Sequence, residues 1–293
     1  MTRPPADQPL RTPQPEEDTI LPPRADCLAD SAGGLTFDVL DGGGSGPAHL
    51  LLLRRNAEDD AVRLPLTPVG QGRLRAVLPD GVELAEGRWD MYVRTGEEEP
   101  RRLAPGTNDL RALVDRSPSP DTARIAVRIP YVTKNGNLSV RSWLRGPHAE
   151  AGDLTVEEAR LTVRGRLYGT ALGEAAHAEL SAGGEGPVLR AEVTADPSVP
   201  GGFSCTVDHR TLAEGTWQFR LRPAGEDGPR VRLSRLLDDV PDKHDIFHYP
   251  GTDYPKDSPA LRIRPVYTPS NELTLTVTPV PASTSAATSA SAS

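Results

Sequence analysis

A segment of eleven residues occurs twice in this 293-residue chain, and the repetition restricts its fold more than any other feature. Leu84-Ala85-Glu86-Gly87-Arg88-Trp89-Asp90-Met91-Tyr92-Val93-Arg94 returns 128 residues later as Leu212-Ala213-Glu214-Gly215-Thr216-Trp217-Gln218-Phe219-Arg220-Leu221-Arg222, with six positions identical. Ala48-His49 and Ala176-His177 stand at the same separation. At a slightly larger one, Arg128 to Val140 (RIPYVTKNGNLSV) aligns with Arg264 to Leu275 (RPVYTPSNELTL), each with a Tyr, a Thr, a turn and a strand. Three ordered matches at nearly constant offset imply two copies of a domain-sized unit.

Each copy reads as strands. Trp89, Met91 and Val93 alternate with Asp90, Tyr92 and Arg94, and Trp217, Phe219 and Leu221 alternate with Gln218, Arg220 and Arg222. A period of two with bulky residues on one side marks a strand that turns one face to a core. Asn135-Gly136, between Ile125–Ile129 and Leu138–Arg141, is a hairpin signal, although Pro130 and Lys134 leave room for a wider loop. Pro265 and Pro269 suggest an edge strand or a bulge late in the second copy. Helix is scarce: Thr107 to Val114 has room for one or two turns capped by Thr107 or Asn108, with Ser234 to Asp239 as its counterpart. Pro and Gly supply 57 residues against 13 aromatics, which favours short strands and frequent turns over long helices. The expected fold is all-β: two tandem, duplicated immunoglobulin-like β-sandwich domains with disordered termini, without the cysteine and tryptophan spacing of an antibody domain. The boundaries are a tail over 1–30, one sandwich over 31–146, a second over 147–281 and a low-complexity tail over 282–293.

Net charge is -8, so a nucleic-acid partner is not expected. The doublets Arg54-Arg55 and Arg101-Arg102 read as solvated strand faces. No apolar run approaches a membrane span, the longest being Leu50 to Leu53, and the N-terminus lacks a secretory h-region, so cytoplasmic residence is expected, with peripheral membrane association left open. Cys205 alternates with Phe203 and Val207 as a buried thiol, and its distance from Cys27 implies no disulfide framework.

Chemistry is sparse. The glycine clusters at 42–46 and 183–186 lack the Lys-Ser/Thr ending of a P-loop, so no cofactor is expected. His49 and His177 hold equivalent repeat positions and read as structural. The densest group of reactive residue types is Asp238 to Tyr254, where His244, His248, Tyr249 and Tyr254 form a candidate loop site. His244 and His248 have i, i+4 spacing, but Pro241 and Pro250 bracket them and argue against a helix, so no metal is assigned. Arg141 and Trp143 fall on the face opposite Leu138 and Val140, where they would contact a sugar ring or a partner, although the place of Trp143 beside the boundary favours packing against the neighbouring domain. With Tyr131 and Tyr267 they form the candidate binding surface.

The motif Arg128 to Trp143, together with Gly87-Arg88-Trp89-Asp90-Met91-Tyr92-Val93, resembles the β-rich accessory regions of actinobacterial glycosyltransferases and teichoic-acid-type glycerophosphotransferases. Free-standing relatives of these regions carry the label "transferase". The resemblance implies a link to cell-envelope polymer synthesis, with a glycosyltransferase or the polymer as partner, and transfers no catalytic residue. Two expectations follow: a non-catalytic binding or scaffolding module, or a glycosyl or glycerophosphoryl transferase with its site between the copies or in the 238–254 loop.

Overall fold

The computed structural model describes residues 22–40, 46–57, 59–114, 116–183, 186–256 and 260–281. Among the described residues strand accounts for 55% and helix for 4%, so the fold is all-β. The first half contributes β1 (Arg24–Ala29), β2 (Leu35–Leu40), β3 (Ala48–Arg54), β4 (Ala61–Pro65), β5 (Thr67–Gly70), β6 (Arg73–Leu78), β7 (Gly87–Thr95), β8 (Arg101–Arg102), β9 (Ala104–Asp109), β10 (Ile125–Val132) and β11 (Leu138–Arg145). The second contributes β12 (His148–Val156), β13 (Arg160–Tyr168), β14 (His177–Ser181), β15 (Val188–Asp196), β16 (Gly202–Asp208), β17 (Gly215–Arg222), β18 (Val231–Ser234), β19 (Thr252–Tyr254), β20 (Leu261–Tyr267) and β21 (Leu273–Pro279).

In the first half one sheet runs β5-β6-β2-β1-β9 and the other β10-β11-β7-β3-β4, with β8 on β7. Their inner faces share one core, in which Phe37 and Leu78 of one sheet join Leu52, Met91 and Val140 of the other. Alternation puts Trp89, Met91 and Val93 inside, as the sequence pattern requires. The second half differs from an open sandwich. Its strands run β14-β15-β16-β13-β12-β18-β17 and close through β14 on β17, a ring of seven from which β21, β20 and β19 continue. The difference has a local cause. Strand β15 is continuous and pairs with both β14 and β16. In the first half the chain between β3 and β6 is divided around Leu66, so that β4 pairs with β3 and β5 with β6. Pro65 and Pro68, which have no N–H to give a ladder, flank that division.

Pair registers recur between the halves. His49 faces Arg94 as His177 faces Arg222, Leu52 faces Met91 as Leu180 faces Phe219, and Trp89 faces Val140 as Trp217 faces Leu275. Trp89 Nε1 donates to Ala85 O at 3.0 Å, and Trp217 Nε1 to Ala213 O at 2.9 Å. The parallel pairing of β1 with β9 returns in β12 with β18.

Three expectations need correction. Residues 24–29, assigned to the N-terminal tail, form β1 and send Ala25, Cys27 and Ala29 into the core. Thr107 and Asn108 cap no helix: they lie in β9, and only Arg111–Val114 turns helically. Ser234 ends β18 and no helix follows it over 234–239. In both places hydrogen bonding to a neighbouring strand outweighs a short helix that has few apolar residues to bury. The C-terminal tail and the N-terminal 21 residues lie outside the described residues. No helix among the described residues is long and apolar enough to cross a membrane.

Candidate functional site

The two halves meet across β10 and β11. Ile125, Val127 and Ile129 pair with Arg145, Trp143 and Arg141, and these six side chains share one face of the sheet. That face is covered. Trp143 has no exposed surface and belongs to the same buried cluster as Ile125, Val127 and Ile129, joined there by Tyr168 and Leu236 of the second half. Trp143 therefore cannot stack on a ligand, and its place in the candidate binding surface is withdrawn: the face opposite Val140 is a junction and not solvent.

Beside the apolar contact lies an ionic one. Arg145, buried, donates to Glu86 through Nη2 at 2.7 Å and to Ser234 Oγ through Nη1 at 2.6 Å. Glu272 pairs with Arg232 at 3.1 Å and Arg220 at 3.3 Å, and Arg232 reaches Glu86 at 3.5 Å. Burial alone would raise the Glu86 pKa, but Arg145, Arg232 and Arg141 outweigh it and hold the carboxylate below its ordinary range.

Where the halves diverge, a cleft of about 780 Å³ opens. One wall is Arg55, Arg88, Asp90 and Arg102 with the Tyr131–Asn137 hairpin end, and the other is Asp242, His244, Asp245 and Pro269. Asp90 is the hub of the first wall, accepting from Arg55 Nη2 and Arg102 Nη2, each at 2.7 Å, and from Ser139 Oγ at 2.9 Å. Burial would raise its pKa, and these three partners together bring it below the usual value. Arg88 spans the cleft. Its Nη2 donates to Asp242 at 3.1 Å and its Nη1 to Tyr131 Oη at 3.2 Å, with Cζ 5.4 Å from the Tyr131 ring centroid. Arg141 lies against Trp143, Cζ 4.8 Å from its ring, and burial together with Arg88 pushes its pKa below the ordinary value. Lys134 and Asn135 are exposed at the rim.

The candidate residues separate. Tyr131 lines the cleft, and Arg141 flanks it with Nη2 3.5 Å from Pro269 O. Tyr267 is 1% exposed, so it offers no surface, and burial raises its hydroxyl pKa. The reason is register. Tyr131 faces Ser139, whereas Tyr267 faces Leu273, the counterpart of Leu138, which makes Tyr267 the counterpart of Val132. Aligning the two tyrosines was one residue out, and one residue reverses the face. Of the loop residues, His244, His248 and Tyr249 line a smaller hollow of about 380 Å³ with Tyr267 and Phe247. Tyr254 stands apart in β19, its ring 6.1 Å from His209. Helical structure there is one 3-10 turn, Lys243–Asp245, so the i, i+4 spacing gives no shared ligand point. His244 Nδ1 lies 2.9 Å from Tyr267 O and His248 Nε2 3.2 Å from Asp245 O. The carbonyl fixes the His244 tautomer, leaving Nε2 as an acceptor.

Sequence reading missed Arg55, Arg88, Asp90, Arg102 and Asp242. The outward positions of β7 and the two arginine doublets carried the signal, but each looks like ordinary solvated surface until the hairpin and the 238–245 segment are brought together.

No family model matches the chain, and no curated protein does. Among solved structures, residues 217–571 of S. aureus TarS overlap 66% of this chain and 57% of that one, at 13% identity and a TM-score of 0.31. Longer S. aureus TarS overlaps 67% of this chain and 38% of its own, at 13% identity and a TM-score of 0.28. A pullulanase from Anoxybacillus sp. LM18-11, complexed with maltotriose, overlaps 67% of this chain and 24% of its own, at 13% identity and a TM-score of 0.24. Similarity this low establishes neither a shared fold nor a shared function.

Proposed function

We propose that this chain is a non-catalytic binding or scaffolding module of cell-envelope polymer synthesis, made of two copies of one β unit that meet near residue 146. The resemblance of the Arg128 to Trp143 motif supports the envelope assignment, and the recurring registers support the duplication. On this reading the protein acts on the cytoplasmic side, and the cleft takes a segment of a teichoic-acid-type or polysaccharide chain.

The observation that carries the binding reading is the neutralisation of the cleft. A general acid needs a raised pKa and a base needs a free lone pair near neutrality. Asp90 is tied to two arginines and a hydroxyl and shifted the wrong way for an acid, and Asp242 is engaged by Arg88. What remains for a ligand is a set of guanidinium and amide donors with an aromatic ring, suited to phosphate and hydroxyl groups, beside the exposed Asp245 carboxylate and the His244 imidazole on the opposite wall. Calorimetry with a poly(glycerol phosphate) oligomer and a neutral α-glucan, with Arg88→Ala and Lys134→Ala/Asn135→Ala in parallel, tests this. Binding of either polymer is expected, weakened roughly 10-fold by Arg88→Ala because a charge-assisted contact is lost. No binding to either polymer, or equal affinity in all three proteins, would overturn the cleft assignment. Turnover of a nucleotide-activated sugar or glycerol that His244→Ala abolishes would replace it with the transferase reading, since His244 Nε2 and the Asp245 carboxylate are acceptors facing the cleft.

A further inference from the structure

Away from the cleft, the start of β14 holds an imidazole that faces two carboxylates without bonding either. His177 Nδ1 lies 3.1 Å from Ala175 O, so this nitrogen carries the proton and Nε2 presents its lone pair. Nε2 is buried with no hydrogen-bond partner. It stands 3.9 Å from Glu179 Oε1 and 4.0 Å from Glu226 Oε1, and the three atoms all lie within 4.8 Å of one another. These spacings are too long for hydrogen bonds and wider than the roughly 3.3 Å between two ligands of a tetrahedral ion at about 2 Å, so the side chains close in by somewhat under an ångström around an ion. The first half does not share the arrangement. There His49 Nδ1 accepts from Arg63 Nη2 at 3.0 Å, and Leu51 holds the position of Glu179.

We propose that His177, Glu179 and Glu226 form a site for a divalent transition-metal ion, with Zn²⁺ well matched to one imidazole and two carboxylates. The arginines nearby decide whether such an ion can enter. Glu179 accepts from Arg222 Nε at 2.8 Å and pairs with Arg230 Nε at 3.1 Å, while Glu226 pairs with Arg190 and, at 3.7 Å, with Arg222. Arg222 is 10% exposed and stays in place. Arg190 and Arg230 are 63% and 60% exposed, so a dication displaces both into solvent at little cost. Two carboxylates then balance the ion, Arg222 Nε keeps its bond to the Glu179 Oε1 that faces the imidazole, and three protein ligands leave a coordination position open to water or an oxygen ligand.

Calorimetric titration of the chelator-stripped full chain with ZnCl₂, backed by the visible absorption of a Co²⁺ titration, tests the site. One saturable equivalent is expected, weakened at least ~10-fold in His177→Gln and in Glu226→Gln. Glu226 is 53% exposed, so its substitution leaves the core intact and decides the matter if His177→Gln fails to fold. Arg190→Ala/Arg230→Ala is expected to tighten binding, an effect that a purely structural ion-pair network would not produce. His244→Ala/His248→Ala should leave the equivalent unchanged. A parent chain with no saturable equivalent, or one that persists undiminished in Glu226→Gln, would overturn the proposal.

Discussion

Lys243 has no exposed surface, yet it carries an ammonium group into the second half. Its Nζ donates to Asp238 Oδ1 and Val240 O, and its backbone N–H donates to Asn271 Oδ1 at 2.9 Å. Burial pushes its pKa below the ordinary 10.5, and Asp238 only partly opposes this. The folded chain thus binds fewer protons than the unfolded one between the lowered value and 10.5, so stability rises with pH across that window and is flat below it. Lys243→Met should erase the rise and destabilise the fold at neutral pH, because it removes one of the two counter-charges of the Asp238 carboxylate and leaves Arg235 at 3.2 Å. Asp238→Asn/Lys243→Met should recover most of the loss. Urea denaturation at neutral and alkaline pH checks both, and a single variant as stable as the parent would contradict the assignment. The cysteines are the apolar counterpart. Burial pushes the Cys205 thiol up to about 12 and raises Cys27 as well, so neither forms a thiolate near neutrality. A thiol-reactive dye should label neither in the native chain at mildly alkaline pH and both after denaturation. Rapid native labelling would count against buried thiols.

The two hairpin turns share their main bonds. Thr133 N donates to Asn137 O at 2.8 Å and Gly136 N to Thr133 O at 2.9 Å, while Thr268 N donates to Glu272 O at 2.9 Å and Asn271 N to Thr268 O at 2.8 Å. The threonine hydroxyls accept from Asn137 N at 3.1 Å and Glu272 N at 3.2 Å. Gly136 and Asn271 fill the same left-handed position, with φ of 72° and 58°. A Cβ on Gly136 would meet nothing within 4 Å, so Gly136→Ala should cost only the backbone strain, about 1 kcal/mol. Asn271→Gly should cost more despite suiting the backbone, since Asn271 Oδ1 accepts from Lys243 N and Nδ2 donates to Pro241 O at 3.2 Å. Thermal melts of the two variants give the order. Asn135-Gly136 announced this turn, and the alternation in β7 and β17 announced their inward faces, because both depend on neighbouring residues alone. The site was less legible. Tyr131 lines the cleft and Trp143 packs between the halves, the stronger of its readings beside the boundary at 146, but Tyr267 is buried, since strand alternation says which residues share a face and not what covers it. Arg88 and Asp242 are 154 positions apart, and no local pattern joins them.

At the scale of the molecule, the arrangement of the halves decides whether the cleft exists at all. The most buried ties are the apolar contact in which Trp143 shares a cluster with Tyr168 and Leu236, and Arg145 held by Glu86 and Ser234. Trp143→Ala should cost about 3–5 kcal/mol, the range for emptying a large aromatic site. Arg145→Met leaves Glu86 and Glu272 with fewer counter-charges and should also destabilise, although Arg232 still reaches both carboxylates. A junction of this kind couples the halves, so the parent chain should unfold in one transition. The tryptophans make this measurable: Trp89 lies in the first core, Trp217 in the second and Trp143 between them. Fluorescence and far-ultraviolet circular dichroism should therefore give coincident urea curves for the parent. In Trp143→Ala/Arg145→Met the curves should separate, because each half keeps its own core while the contact between them is lost. The same variant should lose polymer binding before either half unfolds, since Arg88 and Asp242 stand on opposite walls and close the cleft only while the junction holds. Two separate transitions in the parent, or undiminished polymer affinity in the double variant, would mean that the halves act independently and that the cleft does not depend on their contact.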